Sequence, residues 1–106
     1  MDLTVRPRQI ISMTDRLSEL RRDIDSLDQA LVDLLSRREK LVGEVLFYKK
    51  ANNLPGRIPA RVNAVIDNAA RRASDVGMNP DLARTVWTAM VEWFVRHEEK
   101  ELGRRG

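Results

Sequence analysis

Three ionisable side chains stand where the pattern of the chain calls for apolar ones, and their types suit the binding of a small anion. Leu17, Leu20, Ile24, Leu27, Leu31, Leu34, Leu41 and Val45 repeat every three or four residues, and Arg38 and Lys49 fall on the same seam. Arg38 and Lys49 are eleven positions apart, which at about 100° per residue returns to within roughly 20° of one helix face, about 16 Å along the axis. Both can therefore address one object, and their reach leaves a gap suited to a small molecule with two anionic groups. Arginine offers a bidentate fork for a carboxylate, and lysine a compact charge. Towards the C-terminus Trp87, Val91, Phe94 and Glu98 share a face, so a carboxyl group ends an otherwise apolar stripe. The same spacing also allows a purely structural role, in which Arg38, Lys49 and Glu98 form buried ion pairs or extend along apolar stems to water.

Other chemistries have less to stand on. The chain has no cysteine, so it holds no disulfide, no thiolate nucleophile and no zinc-thiolate site. Its single histidine, His97, reads as a solvated surface residue, and no Ser/His/Asp set or metal-ligand cluster is apparent; neither a cofactor nor a metal is expected. Trp87, Trp93 and Tyr48 read as packing residues, and Asp25 and Asp28 as members of helix-surface ion pairs. Basic and acidic residues, 19 and 16 with a net charge of +3, alternate along every segment. That favours anionic partners weakly and gives no basic face for nucleic acid. The first thirteen residues lack the apolar core of an export signal, and no run reaches the roughly 18 apolar residues of a membrane span. The expectation is a soluble, cytoplasmic protein without membrane contact.

The elements that must position these residues follow from the punctuation. A chain of 106 residues that is 42% apolar supports one domain with a modest core. Residues 1 to 13 lack periodicity and contain Pro7, and are expected to form a flexible arm. From Thr14, a candidate N-cap, apolar spacing runs to about Asn52, interrupted only by Gly43, and predicts one long helix. Asn52-Asn53-Leu54-Pro55-Gly56 stops it, since Pro and Gly both oppose continuation, and Pro59 suits the first turn of the next helix, which Gly77 ends. Asn79-Pro80-Asp81 opens a third helix that runs to about Leu102. The predicted domain covers residues 14 to 102, with 103 to 106 as a tail. About 39 helical residues extend roughly 58 Å, whereas a compact globule of this size is about 33 Å across. The long helix then either bends back near Gly43 or protrudes and is covered by a second copy in a two-fold dimer.

The residues also carry a resemblance. Leu20-Arg21-Arg22-Asp23-Ile24-Asp25-Ser26-Leu27-Asp28, then Leu34-Leu35-Ser36-Arg37-Arg38, then Tyr48-Lys49, resembles the all-helical chorismate mutase family, whose pattern is LRxxID-x-LD, LLxxR and K at these spacings. The match continues through Arg61 and covers about residues 17 to 100. The resemblance implies an all-α fold of three helices per chain in an intertwined homodimer with shared active sites. It also implies a dicarboxylate substrate, rearranged without cofactor or covalent intermediate. By position Arg21 and Arg38 would grip the carboxylates of chorismate, Lys49 would donate to its ether oxygen, and Arg61 would bind the ring side. Glu98 stands where the family places its second donor to that oxygen. The residue types agree, since a pericyclic rearrangement needs no base or nucleophile, only a held conformation and preorganised donors at the breaking C–O bond.

Two positions bear on the substrate. Many members have a glutamate directly after the second-helix arginine, contacting the C4 hydroxyl of chorismate, and here Val62 follows Arg61. Bacterial mutases commonly have glutamine where this chain has Glu98, which donates only when protonated. The Arg61-Val62 pair also resembles isochorismate pyruvate lyase and the 4-amino-4-deoxychorismate mutases, and Glu98 is more like the latter. The expected activity is the rearrangement of chorismate to prephenate. The alternatives are those two relatives or a non-catalytic helical interaction module.

Overall fold

A computed structural model describes residues 2–103, with side chains from Met13 onward. It is all-α, with three helices and, among the described residues, no strand: α1 (Asp2–Ala51), α2 (Pro59–Asp75) and α3 (Pro80–Glu101). None of the described helices is long and apolar enough to cross a membrane. The chain divides into two compact units, one ending at Lys40 and the other beginning at Leu41.

The start of α1 is a correction. The helix expected from Thr14 begins at Asp2, so the backbone of residues 2–13, expected as an arm, is helical. Helical backbone runs through Pro7, although a proline at the sixth helical position removes one bond from the ladder and crowds the carbonyl four residues earlier. Helical backbone also runs through Gly43 without a break.

In the first unit the apolar seam lies open. Leu20, Ile24, Leu27, Leu31 and Leu34 are 41–63% exposed. Arg38, alone among the residues from Leu31 to Lys40, is half-buried.

The second unit is built on an αα-hairpin. Residues 76–79 connect α2 to α3, and the two helices pack through Ala70 and Ala73 against a face carrying Ala83, Val91 and Val95, all buried. Alanines on both sides let the helices approach closely, yet no large side chain is fully buried among the described residues. Gly77, at φ +79°, ends α2 in the left-handed region, and Met78 N–H returns to Ala73 C=O at 2.8 Å. Asn79 caps α3: its side-chain oxygen accepts from Asp81 N–H at 2.8 Å, and Pro80 takes the first helical position.

Candidate active site

The C-terminal end of α1 places Lys49. The last turn closes with Leu54 N–H on the Lys49 carbonyl at 2.9 Å, and Asn53 adopts φ +54° between them. This is the 6→1 closure of a Schellman-type helix end, with asparagine in the left-handed position usually held by glycine. It turns the chain back so that Gly56 lies against α3. A Cβ on Gly56 would stand 2.9 Å from the Glu99 backbone nitrogen, closer than atoms pack, so only glycine fits there.

Lys49 Nζ donates to Glu98 Oε2 at 2.9 Å and to the Gly56 carbonyl at 2.8 Å. The Lys49 and Glu98 side chains are only 11% and 7% exposed. Charges so far from water are costly unless paired and hydrogen-bonded, and here both conditions are met. An ammonium has three donors, and two are used. The third is available to an acceptor entering the site. Glu98 owes its burial to the stripe foreseen for it: Val91 and Val95 are buried beside it, and Trp87 and Phe94 half-buried.

Next to this pair lies a second one, in contact with water. Arg57 forks onto Glu92, with Nη1 to Oε2 at 3.1 Å and Nη2 to Oε1 at 2.5 Å, and approaches Glu99 Oε1 at 3.6 Å. The hydrogen bond from Arg57, followed by its charge and that of Arg96, holds the Glu92 carboxyl below its ordinary range against the opposing effect of partial burial. Arg57 is correspondingly raised, first by the hydrogen bond to Glu92.

The structure brings Lys49 and Glu98 together. Arg38, in the other unit, has its Nη1 shut off from solvent. Arg21 is exposed on α1, and Arg61 is exposed in the first turns of α2. Two residues not singled out by sequence shape the site: Gly56, through its carbonyl, and Arg57. Their only sequence signal was the Pro-Gly break, which marks a turn without naming its contacts. Tyr48 and Trp93, expected to pack, are 63% and 57% exposed. His97 is exposed as expected and stacks on Trp93, with ring centroids 5.5 Å apart. Among the described residues no group of three or more His, Asp or Glu side chains is placed to hold a metal ion. A cavity of about 330 Å³ is bounded by Lys49, Asn53, Leu54 and Leu102, among others, on a wall that does not include Glu98.

Comparison with known proteins follows the same line. The family profile described as chorismate mutase type II matches residues 20–99. The 4-amino-4-deoxychorismate mutase of Streptomyces pristinaespiralis is 32% identical over 93 residues, covering 88% of this chain and 72% of that protein. Its namesake in Streptomyces venezuelae is 31% identical over 90 residues, covering 85% and 87%. The T-protein of Enterobacter agglomerans is 39% identical over 74 residues, 70% of this chain, and the match spans only 20% of that longer protein.

Proposed function

The chain belongs to the chorismate mutase type II family and is an isomerase, and from this premise we propose that it converts chorismate to prephenate in a site shared between two copies. The observation that carries the reading is the buried Lys49 ammonium, fixed by Glu98 and the Gly56 carbonyl with one N–H to spare. In the rearrangement the ether C–O bond breaks while a C–C bond forms across the ring, and no proton is transferred. Negative charge gathers on the ether oxygen, and a donor already in place there lowers the barrier without reorganising. Lys49 is that donor, and Glu98, at the position where the family resemblance implies a second donor, serves here as the carboxylate that holds the Lys49 ammonium in place. Arg38 and Arg21 of the partner subunit hold the two carboxylates, with Arg61 toward the ring, so that the enolpyruvyl arm stays folded over it.

The dimer is supported by the open seam of α1, whose leucines are the side chains a second helix covers in a coiled coil. Residues 14 to 102 constitute the catalytic domain in this reading.

A second substrate, 4-amino-4-deoxychorismate, is favoured by a specific observation. The two Streptomyces relatives that bear that substrate in their names are matched over most of their own length, and Val62 leaves no carboxylate directly after Arg61 to meet a C4 hydroxyl. The deciding experiment is incubation of the purified protein with chorismate, isochorismate and 4-amino-4-deoxychorismate separately, with products identified by mass spectrometry. Prephenate from chorismate is expected. Turnover of the amino compound alone establishes the second reading, pyruvate released from isochorismate establishes a lyase, and no turnover of any leaves a helical interaction module.

A further inference from the structure

A lysine ammonium sits at the end of a four-carbon stem and rotates freely unless its acceptors are fixed. Of the two acceptors of Lys49, Glu98 belongs to α3 and is fixed by burial. The other, the Gly56 carbonyl, belongs to the connector between α1 and α2, which has no regular hydrogen-bond ladder of its own. Two things hold that carbonyl in place. One is the close seating of Gly56 on the Glu99 backbone. The other is the next residue, Arg57, whose fork grips Glu92 and reaches Glu99, two side chains seven residues apart and so on one face of α3.

We infer that Arg57 is a positioning residue: by clamping the connector onto α3 it holds the Gly56 carbonyl where it aims the third N–H of Lys49. The inference rests on the reading of Lys49 as the donor to the breaking bond. A fork of two parallel hydrogen bonds fixes direction as well as distance, which a single point charge does not. Arg57 and Glu92 are 37% and 34% exposed, so the pair contributes little to stability by itself. Its consequence is expected in the geometry of Lys49, where a displacement of about 1 Å costs about 100-fold in rate.

The test uses the intact chain carrying Arg57→Gln, and Arg57→Lys as a charge that cannot fork. Turnover number is expected to fall about 10- to 100-fold in Arg57→Gln, with KM changed by no more than about twofold. Arg57→Lys should recover only part of the loss, and melting temperature should stay near wild type in both. The double variant Arg57→Gln/Lys49→Gln is expected to be no slower than Lys49→Gln alone, because the effect passes through the ammonium. A purely structural Arg57 would instead lower the melting temperature and slow the double variant further. In lysine-labelled protein the ¹³Cε resonance of Lys49 should shift in Arg57→Gln, a readout independent of any substrate. A shifted resonance in a protein whose wild type turns over none of the three substrates supports the positioning and sinks the donor reading. An unmoved resonance, or wild-type turnover in Arg57→Gln, overturns the inference.

Discussion

Along α1 from Leu17 to Leu34 the apolar side chains face water, Leu27 at 63% exposure; where the same helix ends, a charged pair lies buried, with Lys49 at 11% and Glu98 at 7%. Each arrangement inverts the usual distribution, and each is unfavourable for a chain alone. An exposed leucine forgoes about 1.5–3 kcal/mol of burial, and a buried ion pair seldom recovers its desolvation cost through Coulomb attraction. The two inversions point to different missing components. A regular apolar seam is completed by another helix, whereas a dry ammonium with an unused donor is completed by an anion or a polarised oxygen. The comparison therefore separates two requirements of the proposed enzyme, assembly and chemistry, and places them in different stretches of sequence.

The chemical side breaks most sharply. Lys49→Ala is expected to lower turnover number about 100- to 1000-fold, on the order of 3 kcal/mol of transition-state stabilisation, while changing KM much less. Circular dichroism should show the helices intact. Near-normal turnover in this variant would remove Lys49 from the mechanism and reduce the buried pair to architecture.

On the assembly side, Leu27→Asp leaves the isolated chain little changed, since Leu27 is largely exposed within it. In a covered seam the same carboxylate loses its water, and a few kcal/mol corresponds to a dimer about 100-fold weaker. Sedimentation velocity reads this as a shift to monomer, with activity lost in parallel. An unchanged sedimentation coefficient, whatever its value, shows that the seam is not an interface.

A mixing experiment joins the two sides. Arg21 and Arg38 are seventeen residues apart on α1, roughly 25 Å along the axis and about 100° around it. From one straight helix they cannot grip the same small diacid, so if both serve a site, one comes from each copy. Equal amounts of inactive Arg21→Ala and inactive Arg38→Ala, allowed to exchange, give heterodimers with one site holding both arginines and one holding neither. With random pairing about a quarter of wild-type activity should return. No recovery, with exchange shown by native mass spectrometry, excludes Arg21 as a residue supplied across the dimer.

Much of the scaffold was legible because its signals are local. Pro59, Gly77 and the Asn79-Pro80-Asp81 cap fix their helix ends through their own backbone preferences, and the observed boundaries fall on them. The placement of Glu98 at the end of an apolar stripe was legible for the same reason, through helical periodicity. The start of α1 was not, because residues 1 to 13 lack apolar periodicity and contain Pro7, and the helical backbone of residues 2–13 forms despite both. The partners of Lys49 were also hidden in part. A backbone carbonyl has no residue type to give it away, so the Gly56 acceptor left no mark in the sequence. Arg57 and Glu92 lie 35 positions apart, with no spacing rule to connect them until the α2–α3 hairpin is formed. What the sequence encodes through tertiary contact had to be seen in the fold.

The smallest effect belongs to the water-exposed clamp, and it is read as a pH dependence of stability. The hydrogen bond from Arg57 lowers the Glu92 pKa from its ordinary value of 4.5. A carboxyl whose pKa is lower in the folded than in the unfolded state contributes stability that is fully present above the unfolded value. That contribution is lost as pH falls through the folded value. Arg57, itself raised, stays charged throughout. Near neutrality Glu92→Gln should therefore melt at most a few degrees below wild type. The gap should close as the pH is taken from above 4.5 down through the lowered pKa of Glu92, because wild type then loses the same charge that the variant never had. Melting curves of both proteins across that range give the result. A gap that persists unchanged in acid would show that the clamp holds by shape and neutral hydrogen bonds rather than by the Glu92 charge.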